Sequence, residues 1–575
     1  MKLKYLKTEN FRNFENIEIS FNETCNFIVG DNNLGKSNIL DLLNIVFTKR
    51  SFTIDDFSDI SKPINVEFQL KLADVEIGLF EDLFDLHDYS IINIVCTQPT
   101  PDDNIEFYHK ETKTCISYTN IRGLNYIFYD SLRNPISEIN FDKNRGVGKF
   151  LTKIVKDFLA NKSITKENII NYREIQKLLK DINSKLVKVK TIKDYKLIAD
   201  VDDNILDLIP KLIILKDKQG IGLTKSGYGV QFLLLVTLAI IDKLQFIIDQ
   251  RGDRIIFDNE ENGEKSISLI LGLDEPEIHL HPYMQRSLIK YLNEILNNDN
   301  PDFRSLIKEL FGIDCFIGQI IVVTHSPNII LNDYRQIIRL HKDGNATKIV
   351  SGCNINLDEQ LEKHLLLQFP FIKEAFFSRC AILVEGDSEF GCLPYFGLKI
   401  GVDFDNFGIS VIKATGKEAI KPLLELLERF GIPAVGIIDK DSDDSPTQYD
   451  NLFKTSKKDF EDELMFLIDE RKEEILRNIV KKYDSQGENR ELKKEAINKR
   501  AYEKYGYLSQ PFTENLKLST IDRNNLAYLK LYYVTWFSIN KSQSLGGLIG
   551  MHLDEGDIPH VYKDVIKKAK NYVES

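Results

Sequence analysis

The stretch "CNFIVGDNNLGKSNIL" (residues 25–40) combines an apolar segment, a glycine-bounded loop and the start of a helical pattern. From Gly30 to Ser37 it fits G-x-x-x-x-G-K-[ST], the pattern of a phosphate-binding loop between a strand and a helix. Gly30 and Gly35 let the loop backbone wrap phosphates, Lys36 can neutralise their oxygens, and Ser37 can bind Mg²⁺. A chance loop is the alternative, but the position between a strand and a helix favours a nucleotide site.

A second apolar segment ends in acids that suit such a site. "ISLILGLDEPEIHLHP" (267–282) is a strand pattern that ends in Asp274 and Glu275. An aspartate there can hold Mg²⁺, and the following glutamate can orient the water that attacks a phosphate. The alternative is a buried strand that merely ends in solvated acids.

Two further segments have weaker signals of the same kind. "IIVVTHSP" (320–327) is an apolar run that ends near His325, which could sense the terminal phosphate, although a lone histidine is more often structural. "LTKSGYGVQFLLL" (223–235) places a turn of small residues, from Ser226 to Gln231, directly before an apolar helix. A helix N-terminus after such a turn suits phosphate contact.

A second acidic constellation lies in the C-terminal half. "AILVEGDSEF" (381–390) is an apolar run followed by Glu385 and Glu389, whose spacing of four puts both on one helix edge if a helix begins after Gly386. "AVGIIDKDSDD", which begins at residue 434, ends in Asp439 and Asp441. The carboxyl ends of neighbouring parallel strands converge, so these acids are expected to form an oxygen-rich site for Mg²⁺ or Mn²⁺. The alternative is that they end their strands in solvent.

Composition limits the class of protein. The 575 residues include 28% charged and 43% hydrophobic residues, typical of a folded chain with more than one domain. Seven scattered cysteines argue against a disulfide framework and favour a cytoplasmic protein. The first residues lack the uninterrupted apolar run of a leader, and the longest apolar run (229–241) is shorter than the roughly 18 residues that span a membrane, so we expect a protein that is neither exported nor membrane-spanning. The net charge of -12 disfavours indiscriminate nucleic-acid binding, although residues 471–504 carry a local basic surplus.

Strand and helix patterns alternate in two blocks. We predict an N-terminal domain over 1–345 with a helical insertion at about 149–205, and a C-terminal domain over 346–575 with a helical insertion at about 465–530. The first insertion is a candidate dimerisation arm. The fold class is therefore α/β in both domains.

The nucleotide motifs, in this order, resemble the ABC-type ATPases of the SMC and RecF kind. The resemblance extends to "TENFRNFENIEISF", where Phe11 and Arg12 stand at the family's adenine-side position. It implies that two subunits sandwich ATP and that a turn of one subunit completes the site of the other. "SGYGVQ" departs from the common LSGGQ wording of that turn. The residues assigned to this turn are Ser226, Gly227, Gly229 and Gln231. Those assigned to the nucleotide also include Asn33 within the phosphate loop and Asn38 directly after it.

The E-x-x-x-E and D-x-D order resembles a Toprim domain, and an ABC-type ATPase followed by Toprim is similar to the OLD (overcoming lysogenization defect) family, including the nuclease subunit of Gabija-type phage defence. The resemblance implies metal binding by the four acids of the second constellation. It also implies an acidic patch, with Asp459 and Glu461 in "KKDFEDEL" as candidates, and a lysine that stabilises transition-state charge, with Lys541 in "SINKSQSLGG" as candidate. A surface helix and a solvated lysine are the alternatives.

Together these features predict an SMC-like ATPase domain followed by a Rossmann-like Toprim domain. The expected function is an ATP-binding and ATP-hydrolysing DNA endonuclease that uses Mg²⁺ or Mn²⁺ to nick or cleave, in prokaryotic antiviral defence. Expected partners are DNA, a second copy of the chain or a larger homo-oligomer, and a helicase or a reverse-transcribed nucleic acid, with no membrane. The rivals are a RecF-like ATP-gated DNA-binding protein without nuclease activity and an ATP-driven signalling assembly.

Overall fold

The computed structural model describes residues 1–49, 51–81, 83–85, 87–130, 176–181, 183, 228–251, 255–259, 261–278, 280–344, 346–357, 359–414, 416–440, 449–505 and 511–574. They group into two compact units, each drawn from several stretches of chain. The first unit comprises Met1–Lys4, Glu23–Cys25 and Ser37–Thr324, and the second comprises Tyr5–Asn22, Asn26–Lys36 and His325–Ser575. Most of the insertion predicted at 149–205 lies outside the described residues.

The strands alternate along the chain with helices. In chain order they are β1 (Lys2–Phe11), β2 (Phe14–Ser20), β3 (Cys25–Gly30), β4 (Ile64–Lys71), β5 (Ile91–Gln98), β6 (Glu106–His109), β7 (Tyr126–Tyr129), β8 (Phe257–Asp258), β9 (Lys265–Asp274), β10 (Cys315–Val323), β11 (Ile337–Asp343), β12 (Ala346–Ser351), β13 (Cys380–Val384), β14 (Ile409–Lys413), β15 (Ala434–Ile438), β16 (Leu452–Lys454), β17 (Glu491–Leu492) and β18 (Leu516–Lys517).

The helices of the described residues, short 3₁₀ turns aside, are α1 (Lys36–Thr48), α2 (Tyr118–Ile121), α3 (Tyr228–Arg251), α4 (Pro282–Leu296), α5 (Pro301–Phe311), α6 (Glu359–Ile372), α7 (Asp387–Lys399), α8 (Phe404–Phe407), α9 (Ile420–Arg429), α10 (Phe460–Glu463), α11 (Phe466–Asp469), α12 (Glu473–Tyr483), α13 (Lys494–Tyr505), α14 (Leu526–Ile539), α15 (Gln543–His552) and α16 (His560–Glu574). The predicted helix after Gly386 is α7, which begins at Asp387.

The first unit contains an antiparallel and a parallel set of strands. β4, β5 and β6 pair antiparallel in that order. β9 lies between β7 and β10 and runs parallel to both. Nine of the ten β9 residues are buried, as expected for a strand covered on both faces. Val323 lies opposite Asp274, so β9 and β10 end at the same edge.

The second unit carries the predicted C-terminal α/β arrangement. β14, β13, β15 and β16 form a parallel sheet in that order. Every residue of β13 and β15 is buried, which explains why both sequences are unbroken apolar runs. In the same unit β1 pairs with β2, and β3 pairs in parallel with β11, which places Gly30 opposite Leu340.

A buried arginine ties β11 to the segments that lead into the parallel sheet. Arg339 is 3% exposed, and among the described residues its guanidinium donates only to backbone carbonyls. The acceptors are the oxygens of Phe376 and Ser378, which precede β13, and of Phe430 and Gly431, which precede β15. Burial lowers the pKa of Arg339 to about 10, so it stays charged at neutral pH. We name this arrangement the Arg339 clasp.

The predicted insertion at 465–530 is helical, with a short ribbon added. It contains α11, α12 and α13 and the antiparallel pair of β17 and β18. Some of its basic side chains form ion pairs within the insertion. The buried Arg477 contacts Glu473 at 2.9 Å and Glu488 at 2.8 Å. This agrees with the alternative of a helix laced with side-chain pairs.

In the part of the chain that the structure describes, no helix is long and apolar enough to cross a membrane. The domain boundary between residues 345 and 346 stays a prediction.

Candidate nucleotide and metal sites

The phosphate loop needs both of its glycines. Gly30 has φ +134°, and a Cβ there would lie 2.1 Å from the carbonyl oxygen of Leu340. Gly35 has φ +91°, and its Cβ would lie 2.6 Å from Oδ1 of Asn13. Both positions combine positive φ with close approach, which a residue with a side chain tolerates poorly. The loop that follows β3 is therefore built for glycine, as the motif predicts.

The loop lysine lies folded onto the loop. Lys36 is 5% exposed, and its Nζ donates to the carbonyl oxygens of Gly30 at 2.8 Å and Asp31 at 2.7 Å. This holds a positive charge at the start of α1, where a phosphate would also meet the unpaired N–H groups of the helix.

The serine and the aspartate expected to share Mg²⁺ lie together. The Ser37 hydroxyl donates to Oδ1 of Asp274 at 2.9 Å. Burial is the largest cause that raises the pKa of Asp274 to about 6; the hydrogen bond from Ser37 opposes it, and the negative charges of Glu275 and Asp41 add to it. Crowded carboxylates with a raised pKa suit a bound cation, which would relieve their repulsion.

Three other residues are predicted to contact the nucleotide, and their roles stay predictions. Glu275 has φ +44° and its N–H donates to the Val323 oxygen at 2.9 Å. The guanidinium of Arg12 lies 5.2 Å from the ring centre of Phe11, and His325 is exposed after β10.

The remaining nucleotide residues fall into two groups. Asn33 is exposed in the loop with φ +63°, and Asn38 lies in α1. Ser226 and Gly227 lie outside the described residues, whereas Gly229 and Gln231 belong to α3. Their contribution to a partner's site stays a prediction.

Two acids end neighbouring strands of the parallel sheet. Glu385 follows β13 and Asp439 follows β15, and the two strands pair in parallel. The Asp439 N–H donates to Oε2 of Glu385 at 3.5 Å, a long contact that brings both residues to one edge. The expected convergence of these two acids is confirmed. Asp441 lies outside the described residues.

Glu389 is buried at the start of α7, with 2% exposure. Its Oε2 accepts the Gly386 N–H at 2.8 Å, and its Oε1 accepts the Tyr562 hydroxyl at 2.8 Å. Sequence reasoning missed Tyr562. The amphipathic pattern of α16 could have predicted its burial, but no local signal identifies a partner that is 173 positions away. Asp387, the first residue of α7, is half-buried and forms an ion pair with Lys413 at 2.7 Å.

The predicted acidic patch and late lysine meet. Lys541 Nζ lies 2.7 Å from Oε2 of the buried Glu461 and 4.0 Å from Oδ2 of Asp459. Burial lowers the pKa of Lys541, but the charge of Glu461 and its hydrogen bond outweigh this and raise it overall. The Asp459 carboxylate caps α10 and also contacts Lys504. Asp459 is thus already paired with a cation, and its metal role stays a prediction.

The negative charges of these acidic side chains raise one another's pKa. Burial is the largest cause that raises the pKa of Glu389, and Glu461 and Glu385 add to it. Burial, followed by the charges of Glu389 and Glu385, raises the pKa of Asp439, while Lys541 opposes the rise. These residues form one electrostatic group, which we call the acidic cluster: Glu385, Glu389, Asp439 and Glu461.

The acidic cluster has the donor chemistry for a hard divalent cation. Among the described residues, Oδ1 of Asp439 and Oε1 of Glu461 are buried without a hydrogen-bond partner, so both can accept a metal bond. No group of three or more His, Cys, Asp or Glu side chains in the described ranges is already gathered as a metal-binding set. These carboxylate oxygens are the donors that Mg²⁺ or Mn²⁺ prefers. The described side chains alone do not form a complete set of ligands around one ion position.

A phosphate-loop nucleotide site and an acidic strand-end site on a parallel sheet define an ATPase joined to a Toprim domain. Residues 1–140 and 96–330 match the family model described as "AAA ATPase domain", and residues 376–441 match "Overcoming lysogenization defect protein-like, TOPRIM domain". The chain belongs to this ATPase family and carries an OLD-like Toprim domain. The family predicted from the motifs is confirmed.

Curated relatives of the chain include two nucleases and a DNA replication and repair protein. "Endonuclease GajA" of Bacillus cereus (strain HuB5-5) is 23% identical over 452 residues, 71% of this chain and 60% of that protein. "OLD nuclease" of Thermus scotoductus (strain ATCC 700910 / SA-01) is 23% identical over 473 residues, 76% of this chain and 82% of that protein. "DNA replication and repair protein RecF" of Thermoanaerobacter sp. (strain X514) is 23% identical, but over only 38% of this chain and 54% of that protein. The chain therefore spans less than two thirds of GajA and of this RecF.

Proposed function

We propose that this chain is an ATP-binding and ATP-hydrolysing, divalent-metal-dependent DNA endonuclease of OLD type. One arrangement supports this above all others: Glu385 and Asp439 follow neighbouring parallel strands, the buried Glu389 and Glu461 complete the acidic cluster, and Glu461 pairs with the Lys541 cation. Strand ends of open parallel sheets are where such folds bind ligands.

In this proposal Glu385, Glu389, Asp439 and Glu461, together with Asp441, hold Mg²⁺ or Mn²⁺. Bound there, two such ions would activate water and stabilise the leaving oxygen of a phosphodiester. Lys541 stabilises the negative charge that grows on the phosphate, and Glu461 keeps its ammonium in place. At the other site Lys36, Ser37 and Asp274 bind ATP and its Mg²⁺, with Glu275 as the residue that orients water.

The setting and partners extend the same proposal. We infer a dimer or larger homo-oligomer that sandwiches ATP, in the cytoplasm of a prokaryote, acting in antiviral defence. DNA is the substrate, and a helicase or a reverse-transcribed nucleic acid is the candidate partner. The GajA and OLD nuclease relatives support the nuclease class because each match covers more than two thirds of this chain.

A RecF-like DNA-binding protein without cleavage is the second candidate, favoured by the RecF match. That match leaves most of this chain unexplained, whereas the OLD nuclease match covers 76% of it. The acidic cluster has no role in a protein that only binds DNA, which favours the nuclease.

A plasmid-nicking assay separates the two candidates. Supercoiled plasmid is incubated with Mg²⁺, Mn²⁺ or EDTA, with and without ATP, using wild type, Lys36→Ala, Asp439→Asn and the exposed control Asp405→Asn. We expect metal-dependent nicking by wild type and Asp405→Asn and none by Asp439→Asn. Lys36→Ala should still nick but lose its response to ATP. Absence of cleavage by wild type, or cleavage that Asp439→Asn retains, would exclude the proposed nuclease site.

A further inference from the structure

Tyr562 reaches the acidic cluster from the last helix. It lies on α16, it is fully buried, and its hydroxyl donates to Oε1 of Glu389 at 2.8 Å. We propose that Tyr562 is a positioning residue that fixes the Glu389 carboxylate for metal binding. This inference rests on the proposed metal site and adds a residue that no motif of the sequence contains.

The two hydrogen bonds to Glu389 have different effects. The Gly386 N–H, which binds Oε2 at 2.8 Å, comes from the turn that begins the same helix and fixes the carboxylate only relative to that turn. The Tyr562 hydroxyl comes from a distant helix and binds the other oxygen. Donors on both oxygens fix the rotation of the carboxylate plane. Each oxygen has two lone pairs, so each keeps one for a cation.

The ring of Tyr562 is held between the elements that carry the acids. It packs edge-to-face on Phe396 of α7, with ring centres 6.2 Å apart, and on Phe460 of α10, with ring centres 5.3 Å apart. Phe460 directly precedes Glu461. Edge-to-face contacts of this kind restrict the ring in its pocket. The Tyr562 side chain therefore contacts both the helix that carries Glu389 and the helix that carries Glu461.

The hydroxyl stays a donor in this environment. Burial, followed by the negative charges of Glu389 and Asp439, raises the pKa of Tyr562 far above its ordinary value. A neutral phenol can donate to a carboxylate without competing with it for the metal. Partners that orient metal ligands in this way typically change metal affinity or activity about 10–100-fold when they are removed.

A matched tyrosine elsewhere in the same unit provides the control. Tyr533 on α14 is fully buried, and its hydroxyl donates to Glu473, a glutamate paired with Arg477 in the insertion. Tyr562→Phe and Tyr533→Phe thus each remove one buried hydroxyl from a glutamate and leave the ring. Only the first removal touches the acidic cluster.

The test measures Mn²⁺ binding directly, by the electron paramagnetic resonance signal of free Mn²⁺, together with the Mg²⁺ concentration that gives half-maximal plasmid nicking. Thermal unfolding in EDTA verifies that each variant is folded. We expect Tyr562→Phe to weaken Mn²⁺ binding about tenfold and to raise the half-maximal Mg²⁺ by a similar factor. Tyr533→Phe should change both by less than about twofold, since it leaves the metal ligands untouched.

A double variant separates positioning from a general loss of structure. In a Glu389→Gln background, adding Tyr562→Phe should have little further effect on Mn²⁺ binding, because the two residues act through one contact. Equal weakening in both backgrounds, or Mn²⁺ affinity of Tyr562→Phe within about twofold of wild type, would overturn the positioning role. If wild type binds Mn²⁺ and nicks, these outcomes refute only the inference; if wild type binds no Mn²⁺, the metal site and the inference fail together.

Discussion

Replacing Asp439 with asparagine should make the protein more stable in EDTA and less stable in Mg²⁺ relative to wild type. Asp439 is a carboxylate whose Oδ1 is buried without a hydrogen-bond partner among the described residues. Burial and the neighbouring charges of Glu389 and Glu385 raise its pKa, which means that its charged form is disfavoured where it lies. Asparagine has nearly the same shape without the charge, so it removes the repulsion with the two glutamates.

The size of the effect follows from these contacts. An unsatisfied buried polar atom costs about 1–3 kcal/mol, and removing the repulsion with two carboxylates adds to the gain. We therefore expect asparagine to stabilise the metal-free protein by about 1–3 kcal/mol. A cation present at about 1,000 times its dissociation constant stabilises wild type by about 4.1 kcal/mol, which exceeds this gain. The variant loses a ligand and forgoes most of this, so the order of stability reverses.

The assay is thermal unfolding of wild type, Asp439→Asn and Asp405→Asn in EDTA and in saturating Mg²⁺. Asp405 is exposed on α8, so its neutralisation should leave the midpoint near that of wild type in both conditions. The reasoning is refuted if Asp439→Asn melts below wild type in EDTA, or if Mg²⁺ raises its midpoint as much as that of wild type.

Three further predictions concern the nucleotide site and the clasp. Gly30→Ala should abolish ATP binding, measured with a fluorescent ATP analogue, because its Cβ would lie 2.1 Å from the Leu340 oxygen. Gly344→Ala, with φ +60° and no atom of the described residues within 4 Å of its Cβ, should bind ATP normally and cost only about 1 kcal/mol. Lys36→Ala should weaken ATP at least about tenfold in the same assay, because a charged hydrogen bond is worth about 1.5–3 kcal/mol, and unchanged affinity would contradict the loop's role. Arg339→Met should lower stability by about 3–5 kcal/mol in thermal unfolding, because it leaves buried carbonyls without a donor. A midpoint equal to that of wild type would contradict the clasp.

The parts of the fold and site that the sequence predicts are governed by local pattern. The strand, loop and helix around Lys36 follow from a motif whose glycines are required by positive φ and close approach. The meeting of Glu385 and Asp439 follows from two apolar runs and the rule that parallel strands end at one edge. In both cases the deciding information lies within a few residues of the site.

What the sequence could not predict is decided by contacts between distant elements. The hydrogen bond from Tyr562 to Glu389 depends on how α16 packs on α7, and neither segment signals it. The family resemblance names Lys541 and Glu461 as separate candidates but does not predict that they pair, because a lysine in a polar stretch carries no local signal of its partner. The same resemblance names Asp459, and only the fold shows that Lys504 contacts it.

The Arg339 clasp affects any attempt to separate the two predicted domains. A cut after residue 345 would leave the guanidinium in the N-terminal fragment and send all of its carbonyl acceptors, the oxygens of Phe376, Ser378, Phe430 and Gly431, away in the C-terminal one. The N-terminal fragment would keep a guanidinium without its acceptors, and the C-terminal fragment would keep carbonyl oxygens without their donor. Burying either group without a partner is costly. Cutting the chain at the boundary that the sequence predicts would thus yield two incomplete fragments. We expect each fragment to be soluble and folded only when it is co-expressed with the other.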